Sequence, residues 1–137
     1  MRIVCDTNVL ISALLWGGTP GRILERIESN IDTLYTSRIL LHELTSVLNY
    51  PKISRILKRR NLSSNEILEL VIDHAQIVET DNSPIRAVPD DPDDDHVIEC
   101  AVKAQADYIL TGDSHLLGLK VWDSIPIISV GEYLKKI

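Results

Sequence analysis

The chain has 137 residues, 45% of them hydrophobic, which is enough for one domain with a buried core. A formal net charge of −6 argues against a protein that coats nucleic acid through bulk charge, but not against an enzyme that acts on it. No stretch approaches the roughly 20 apolar residues of a membrane span, and no signal peptide is evident, so we expect a cytoplasmic protein without membrane association.

The first half of the chain predicts strands alternating with helices. Short apolar runs predict strands at residues 3–5 and 33–36, and Cys5 in the first run is expected to be a reduced, buried thiol, like Cys100 further on. Capping side chains and helical spacing of apolar residues predict four helices, at residues 9–16, from a cap at Thr19, from a cap at Ser37 to Tyr50, and at 52–60.

The second half continues the alternation. A helix begins at Ser63 and buries Ile67, Leu68, Val71, Ile72 and Ala75, and a weak strand at 77–78 and a loop at 81–93 follow. The remaining predicted elements are a helix from Asp93 or Asp94 to Ala104, strands at 108–111, 121–122 and 127–128, and a helix at 130–136. This order predicts an α/β fold, a three-layer α/β/α sandwich with a mostly parallel central sheet, in one domain over 1–137.

Four acidic residues occupy positions that suit a metal site: Asp6, Glu43, Asp94 and Asp113. Asp6 and Asp113 follow predicted strands, and ligands of open α/β sheets bind at strand ends. Carboxylates brought together repel one another unless a cation lies between them. The alternatives are that Asp6 and Asp113 cap helices, and that Glu43, at the edge of an apolar helix face, reaches solvent or an Arg.

The third acid lies in an acidic run at residues 91–95, most of which a helix N-terminus would explain. Asp94 is preferred to Asp95 as the third acid. It lies three and four residues before Val97 and Ile98, so on a helix it shares the inward side of these two residues. A calcium loop is excluded, since His96 takes the place of its Gly, and zinc lacks a second ligand pair beside His96 and Cys100. Hard carboxylate oxygens favour Mg²⁺ or Mn²⁺.

A basic cluster holds five of the fourteen Lys and Arg within nine positions: Lys52, Arg55, Lys58, Arg59 and Arg60. It is either a solvated helix face or a surface that contacts RNA phosphates beside the acidic site.

Four segments together resemble the PIN-domain family: residues 5–13, Asp91-Pro92-Asp93-Asp94, Glu99-Cys100-Ala101, and residues 106–113, which end in Thr111-Gly112-Asp113. The likeness is greatest to toxin components (VapC-like ribonucleases) of type II toxin–antitoxin systems in bacteria and archaea. It implies a parallel sheet flanked by helices, RNA cleavage with Mg²⁺ or Mn²⁺, a cognate antitoxin and a homodimer.

Transferred position by position, the resemblance implies that Asp6, Glu43, Asp94 and Asp113 are the four catalytic, metal-binding acids. Auxiliary roles fall on five neighbours: Thr7, Asn8, Asp91, Asp95 and Thr111. The distance from Asp95 to Asp113 fits the commoner toxin spacing, so Asp95 remains the alternative third acid.

The predicted function is metal-assisted hydrolysis of phosphodiester bonds in single-stranded or loop RNA. Two alternatives stay open. One is another Mg²⁺-dependent phosphoryl-transfer enzyme, although an aspartyl-nucleophile phosphatase would want Asp where the chain has Asn8. The other is a non-catalytic α/β interaction module whose acids only cap helices.

Overall fold

A six-stranded sheet forms the centre of the computed structural model, which describes residues 1–80 and 92–137, and side chains for 1–80 and 95–137. Its strands are β1 (Arg2–Cys5), β2 (Thr33–Ser37), β3 (Ala75–Val78), β4 (Tyr108–Leu110), β5 (Val121–Trp122) and β6 (Ile125–Ile128). Their order is β3-β2-β1-β4-β6-β5, and every pairing is parallel except that of β5 with β6.

Eight helices in the described part of the chain connect the strands: α1 (Thr7–Leu15), α2 (Gly18–Glu28), α3 (Arg38–Leu48), α4 (Pro51–Arg59), α5 (Ser64–His74), α6 (Pro92–Ala104), α7 (Ser114–Leu119) and α8 (Val130–Lys136). The predicted caps Asp6, Ser37 and Ser63 are confirmed, because each side chain accepts a hydrogen bond from the backbone N–H three residues on. None of these helices is long and apolar enough to cross a membrane.

The helices cover both faces of the sheet, as the α/β sandwich predicts. Side chains alternate along β1, so Ile3 and Cys5 pack with α1, α2, α5 and α8, whereas Val4 packs with α6 and α7. Both cysteines are buried free thiols, as predicted, and burial raises the pKa of the Cys100 thiol to about 12.

Several local predictions were wrong. Thr19 does not cap α2, which begins at Gly18 after Gly17, a residue with φ of 66° that suits glycine. Ile72 is 46% exposed, because it lies on the outer side of α5, and α7 was not predicted at all. The predicted loop at 81–93 falls mostly outside the described residues, and α6 already includes Pro92.

The sheet places a crevice between β1 and β4. From β1 the chain proceeds through β2 and β3 in one direction, whereas β4, β6 and β5 lie on the other side. Strand order therefore reverses between β1 and β4, and ligands of open parallel sheets bind at the carboxyl ends of the strands at such a point. Asp6 directly follows β1, and Thr111 directly follows β4.

Candidate functional site

A cleft of about 360 Å³ lies at this crevice. Three of the four predicted acids line it, namely Asp6, Glu43 and Asp113. The predicted auxiliary residues Thr7 and Asn8 also line it. These acids come from the end of β1, the middle of α3 and the loop after β4, so the fold brings together residues up to 107 positions apart in the chain. We call this feature the acidic cleft.

Asp6 is the most deeply set of the three acids, with only 6% of its surface exposed. Its Oδ1 accepts a hydrogen bond from the Val9 backbone N–H at 2.8 Å, and its Oδ2 accepts one from the Thr111 hydroxyl. Its own N–H donates to the Leu110 carbonyl at 3.2 Å, which joins it to the end of β4. The carboxylate is therefore held in one orientation by neutral donors.

The electrostatics of Asp6 favour a cation nearby. Burial raises the pKa of its carboxyl, and the charge of Asp113 raises it further, while hydrogen bonds from Thr111 and the Val9 N–H act in the opposite direction. The net direction is upward, so the protein alone disfavours the negatively charged form of the Asp6 carboxyl. A divalent cation would reverse that balance.

Asp113 is held by the backbone of the turn that it begins. Its Oδ1 accepts hydrogen bonds from the N–H groups of His115 at 2.7 Å and Leu116 at 3.3 Å, so it caps α7. Its own N–H donates to the Thr111 hydroxyl at 3.0 Å. Thr111 therefore connects the two strand-end aspartates, which is consistent with the auxiliary role predicted for it.

Glu43 is half-buried on α3, and its Oε1 lies 2.8 Å from Nδ1 of His96 on α6. Sequence reasoning missed this pair, since the two residues are 53 positions apart and His96 was weighed only as a zinc ligand. His42, which no sequence pattern singles out, also lines the acidic cleft, as does Tyr50. The one available signal was the position of His96 directly after the acidic run.

The structure describes only some of the atoms of the other predicted acids, Asp91, Asp94 and Asp95. Asp94 belongs to α6, but its side chain is outside the described set, and Asp91 lies outside the described residues altogether. Asp95 is buried, with 8% of its surface exposed. The choice between Asp94 and Asp95 as third acid thus stays a prediction.

The basic cluster forms the outer face of α4. Lys52, Arg55, Lys58 and Arg59 are all exposed, opposite the buried Leu57. Within the described part of the chain none of the five basic residues lines the acidic cleft, but Tyr50, which directly precedes α4, does. Arg60 is also exposed, but it differs from the other four in its contacts with α1 and Trp16.

The Arg60 guanidinium donates to the Leu15 carbonyl and lies 5.6 Å from the ring centre of Trp16. Arg60 therefore attaches the end of α4 to the end of α1. The other four cations belong to α4 itself, where Arg55 Nε donates to the Pro51 carbonyl at 3.2 Å, and meeting a polyanion would not require α4 to detach from α1.

The donor set of the acidic cleft suits a hard cation, because its charged groups are carboxylate oxygens. Among the side chains described, in residues 1–80 and 95–137, no three His, Cys, Asp or Glu residues converge closely enough to hold a metal ion. The fit to Mg²⁺ or Mn²⁺ thus lies in the type of oxygen ligand, and the side chain of Asp94, the acid expected to join them, is outside the described set.

Comparison with known proteins agrees with the architecture. The family model described as PIN domain matches residues 2–115. An uncharacterized protein of Methanocaldococcus jannaschii, MJ1680, is 32% identical over 123 residues, which cover 88% of this chain and 76% of that protein. The fold is also similar to a chain in the crystal structure of VapBC2 from Rickettsia felis bound to a DNA fragment from their promoter. That match has a TM-score of 0.63 and 16% identity, and it covers 93% of this chain and 97% of that one.

Proposed function

The chain belongs to the PIN-domain family, and on that premise we propose that it is a Mg²⁺- or Mn²⁺-dependent endoribonuclease, the toxin of a toxin–antitoxin pair. PIN domains are generally nucleases, hydrolases that act on nucleic acids, and they generally use divalent metals. The choice of RNA, of these metals and of these site residues is the proposal.

One observation carries it: three acids from separate parts of the chain line one cleft at the point where strand order reverses. Helix capping explains one oxygen each of Asp6 and Asp113, but it does not require that both lie beside Glu43. Like charges gathered in a cleft cost free energy unless they serve a cation, and this cost supports a metal site.

In the proposed mechanism, Asp6, Glu43 and Asp113 hold the cation together with Asp94, or with Asp95 as the alternative. When bound, the cation supplies a water of lowered pKa and stabilises negative charge on the phosphate oxygens. Thr111 and the Val9 N–H keep the Asp6 carboxylate oriented, and His96 does the same for Glu43. Within the described residues the hydrogen bonds of Asp113 go to Oδ1, so its Oδ2 is suited to bind the cation or accept a proton.

The proposed substrate is single-stranded or loop RNA, because an unpaired strand can enter a cleft of this size and expose its backbone to the acids. The four exposed cations of α4 are proposed to contact flanking phosphates, since Tyr50, which directly precedes α4, lines the acidic cleft. Thr7 and Asn8, which line the cleft, would position the strand by hydrogen bonds.

The proposal includes a cognate antitoxin, a homodimer and a cytoplasmic location, all implied by the resemblance to toxin components. The fold similarity to a chain of the VapBC2 crystal structure supports the antitoxin in this proposal, through architecture alone.

A non-catalytic interaction module is the second candidate. The observation in its favour is that Asp6 and Asp113 do cap α1 and α7, as purely structural aspartates would. Calorimetric titration with MgCl₂ and MnCl₂ separates the two, because a module of this kind needs no cation and would give no binding heat.

The decisive assay compares Asp6→Asn and Asp113→Asn with wild type for Mg²⁺-dependent cleavage of single-stranded RNA. We expect each variant to lose at least about a hundredfold in rate, as when one transition-state contact is removed. Asp123→Asn is the matched control, because Asp123 is exposed and has φ of 48°, which Asn tolerates. Undiminished cleavage by both folded site variants would exclude the mechanism.

A further inference from the structure

A second cavity, of about 320 Å³, adjoins the acidic cleft. Asn8 lines both cavities, so the two share a wall. Thr111, whose hydroxyl donates to Asp6, also lines the second one. A group bound there would therefore lie next to whatever the acids hold.

The lining of this second cavity differs sharply from that of the acidic cleft. Among the residues that the structure describes, no acidic and no basic side chain lines it. Hydroxyls and apolar surfaces make up most of it, from α1, the start of α2 and the start of α8: Ser12, Thr19, Ser129, Val9, Pro20 and Val130. The Ser129 hydroxyl accepts from the Glu132 N–H at 3.1 Å and can still donate its proton. We call this cavity the neutral pocket.

The chemistry of the neutral pocket selects among the parts of an RNA strand. A phosphate carries negative charge, and no positively charged side chain among the described lining residues would offset it. A nucleobase is neutral and flat, with apolar faces and a polar edge, which apolar surfaces and hydroxyls can match. The volume also lies in the usual range of small-molecule sites, about 300–1,000 Å³.

Resting on the proposed ribonuclease function, we propose that the neutral pocket binds the nucleobase adjoining the phosphodiester held at the acidic cleft. The shared wall at Asn8 sets the spacing, since a base and its neighbouring phosphate belong to the same nucleotide step. The pocket thereby gives the enzyme a preference at one nucleotide position.

Gly131 offers a way to fill the neutral pocket without disturbing the fold. It lines the pocket on α8, and a Cβ there would meet only Ser129 Oγ at 3.9 Å, an ordinary contact. Gly131→Leu should therefore fold and occupy the space of the base. Gly118→Leu is the matched control, because Gly118 is an exposed helical glycine on α7 with nothing within 4 Å of its added Cβ.

The first test measures kcat/KM for an RNA oligonucleotide in which single nucleotides are replaced in turn by abasic residues. For wild type, loss of the base next to the cleaved bond should lower kcat/KM about tenfold, the order of one base contact. Gly131→Leu should cleave the intact oligonucleotide more slowly by a similar factor and no longer respond to that abasic position. Gly118→Leu should behave as wild type.

The second test is independent of cleavage. Binding of a labelled RNA oligonucleotide in EDTA, followed by fluorescence anisotropy, should weaken with Gly131→Leu and with the abasic substitution, and the two effects should not add. Thr19→Leu, at an exposed pocket position, should give a smaller effect in the same direction, and it serves if Gly131→Leu does not fold.

The outcomes separate the two proposals. Binding in EDTA that shows the expected non-additivity, without any cleavage by wild type, would overturn the ribonuclease function and leave base binding standing. Cleavage that responds equally to the abasic residue in wild type and Gly131→Leu would overturn the neutral pocket as a base site. Absence of both cleavage and RNA binding would overturn both.

Discussion

Two buried aspartates at opposite ends of the strands differ in the partners that the fold gives them. Asp32 precedes β2, at the amino ends of the parallel strands (the amino edge). Asp6 follows β1, at their carboxyl ends (the carboxyl edge). Asp32 receives Arg26 in a two-pronged contact at 2.7 and 3.3 Å, the Tyr133 hydroxyl at 2.7 Å and the N-terminal ammonium at 3.6 Å. Asp6 receives neutral donors and has a second carboxylate, Asp113, nearby.

The pKa shifts of the two carboxyls express this difference. Burial alone would raise the pKa of Asp32, but the hydrogen bonds and charge of Arg26, the Tyr133 hydroxyl and the N-terminus outweigh it, and the pKa is lowered. Burial raises the pKa of Asp6, and no comparable opposing charge offsets it. The fold itself supplies the cation that neutralises Asp32, whereas the external cation proposed for Asp6 would come from solution.

The largest expected effect is on stability, at the amino edge. Asp32→Asn should lower the free energy of unfolding by about 3 kcal/mol, because it leaves the Arg26 guanidinium without its counter-charge. This value is at the low end of the usual range for buried pairs, since the Arg26 side chain is 24% exposed. Urea unfolding in EDTA measures the loss, with Asp123→Asn as control. A loss as small as the control's would show that the cluster is dispensable.

The next effect concerns support for the acidic cleft. His96→Ala should weaken Mn²⁺ binding and RNA cleavage about tenfold, because partners that orient metal ligands typically contribute that much. His96→Gln, which can keep a hydrogen bond to Glu43, should recover most of the loss. Calorimetry with MnCl₂ provides the measurement. The control is His74→Ala, whose imidazole contacts the Leu70 carbonyl on α5. Equal affinity for His96→Ala and wild type would contradict the positioning role.

A smaller effect on the free energy of unfolding is expected from Asp6→Asn in the absence of metal. This substitution should not cause the loss of stability expected for Asp32→Asn. The amide keeps the acceptor for the Val9 N–H, and the Thr111 hydroxyl can turn to accept from the new amide group. The free energy of unfolding in EDTA should stay within about 1 kcal/mol of wild type or rise. A decrease as large as that of Asp32→Asn would remove the contrast between the two edges.

The smallest effect is a pH dependence of opposite sign at the two aspartates. The lowered pKa of Asp32 gives stability that is present above its unfolded value of about 3.8 and lost as pH falls through the folded pKa. The raised pKa of Asp6 gives metal-free stability that is present below 3.8 and lost as pH rises through the folded pKa.

Urea unfolding in EDTA between about pH 6 and about pH 3 tests this. The deficit of Asp32→Asn should shrink as pH falls, while any advantage of Asp6→Asn should shrink over the same interval. Parallel curves for both variants would contradict the assigned shifts.

Much of the fold could be predicted because its signals are local. Short runs of two to four residues mark the strands, and Ser37 and Ser63 cap helices through contacts three residues away. The failures also have local causes. Gly17 and Gly18 start α2 by backbone conformation, which a capping pattern does not encode, and α7 is only six residues long.

The site could be predicted in part for a different reason. Asp6 and Asp113 follow strands, so the topology of a parallel sheet already places them at one edge, and the fold adds Glu43 to the same cleft. His96 beside Glu43 could not be inferred, since it depends on how α6 packs against α3. The neutral pocket is likewise invisible in sequence, because its walls come from four separate segments.

The amino-acid sequence by itself determined the alternation of elements, most caps and the acids at strand ends, since these depend on neighbours within a few positions. Only the tertiary structure decided which buried acid is neutralised and which is not. Asp32 drew no notice in the sequence, yet it meets Tyr133 across 101 positions, and Asp6 meets Thr111 across 105. Such contacts depend on the packing of whole elements, and that packing sets the local electrostatics that distinguish these two buried carboxylates.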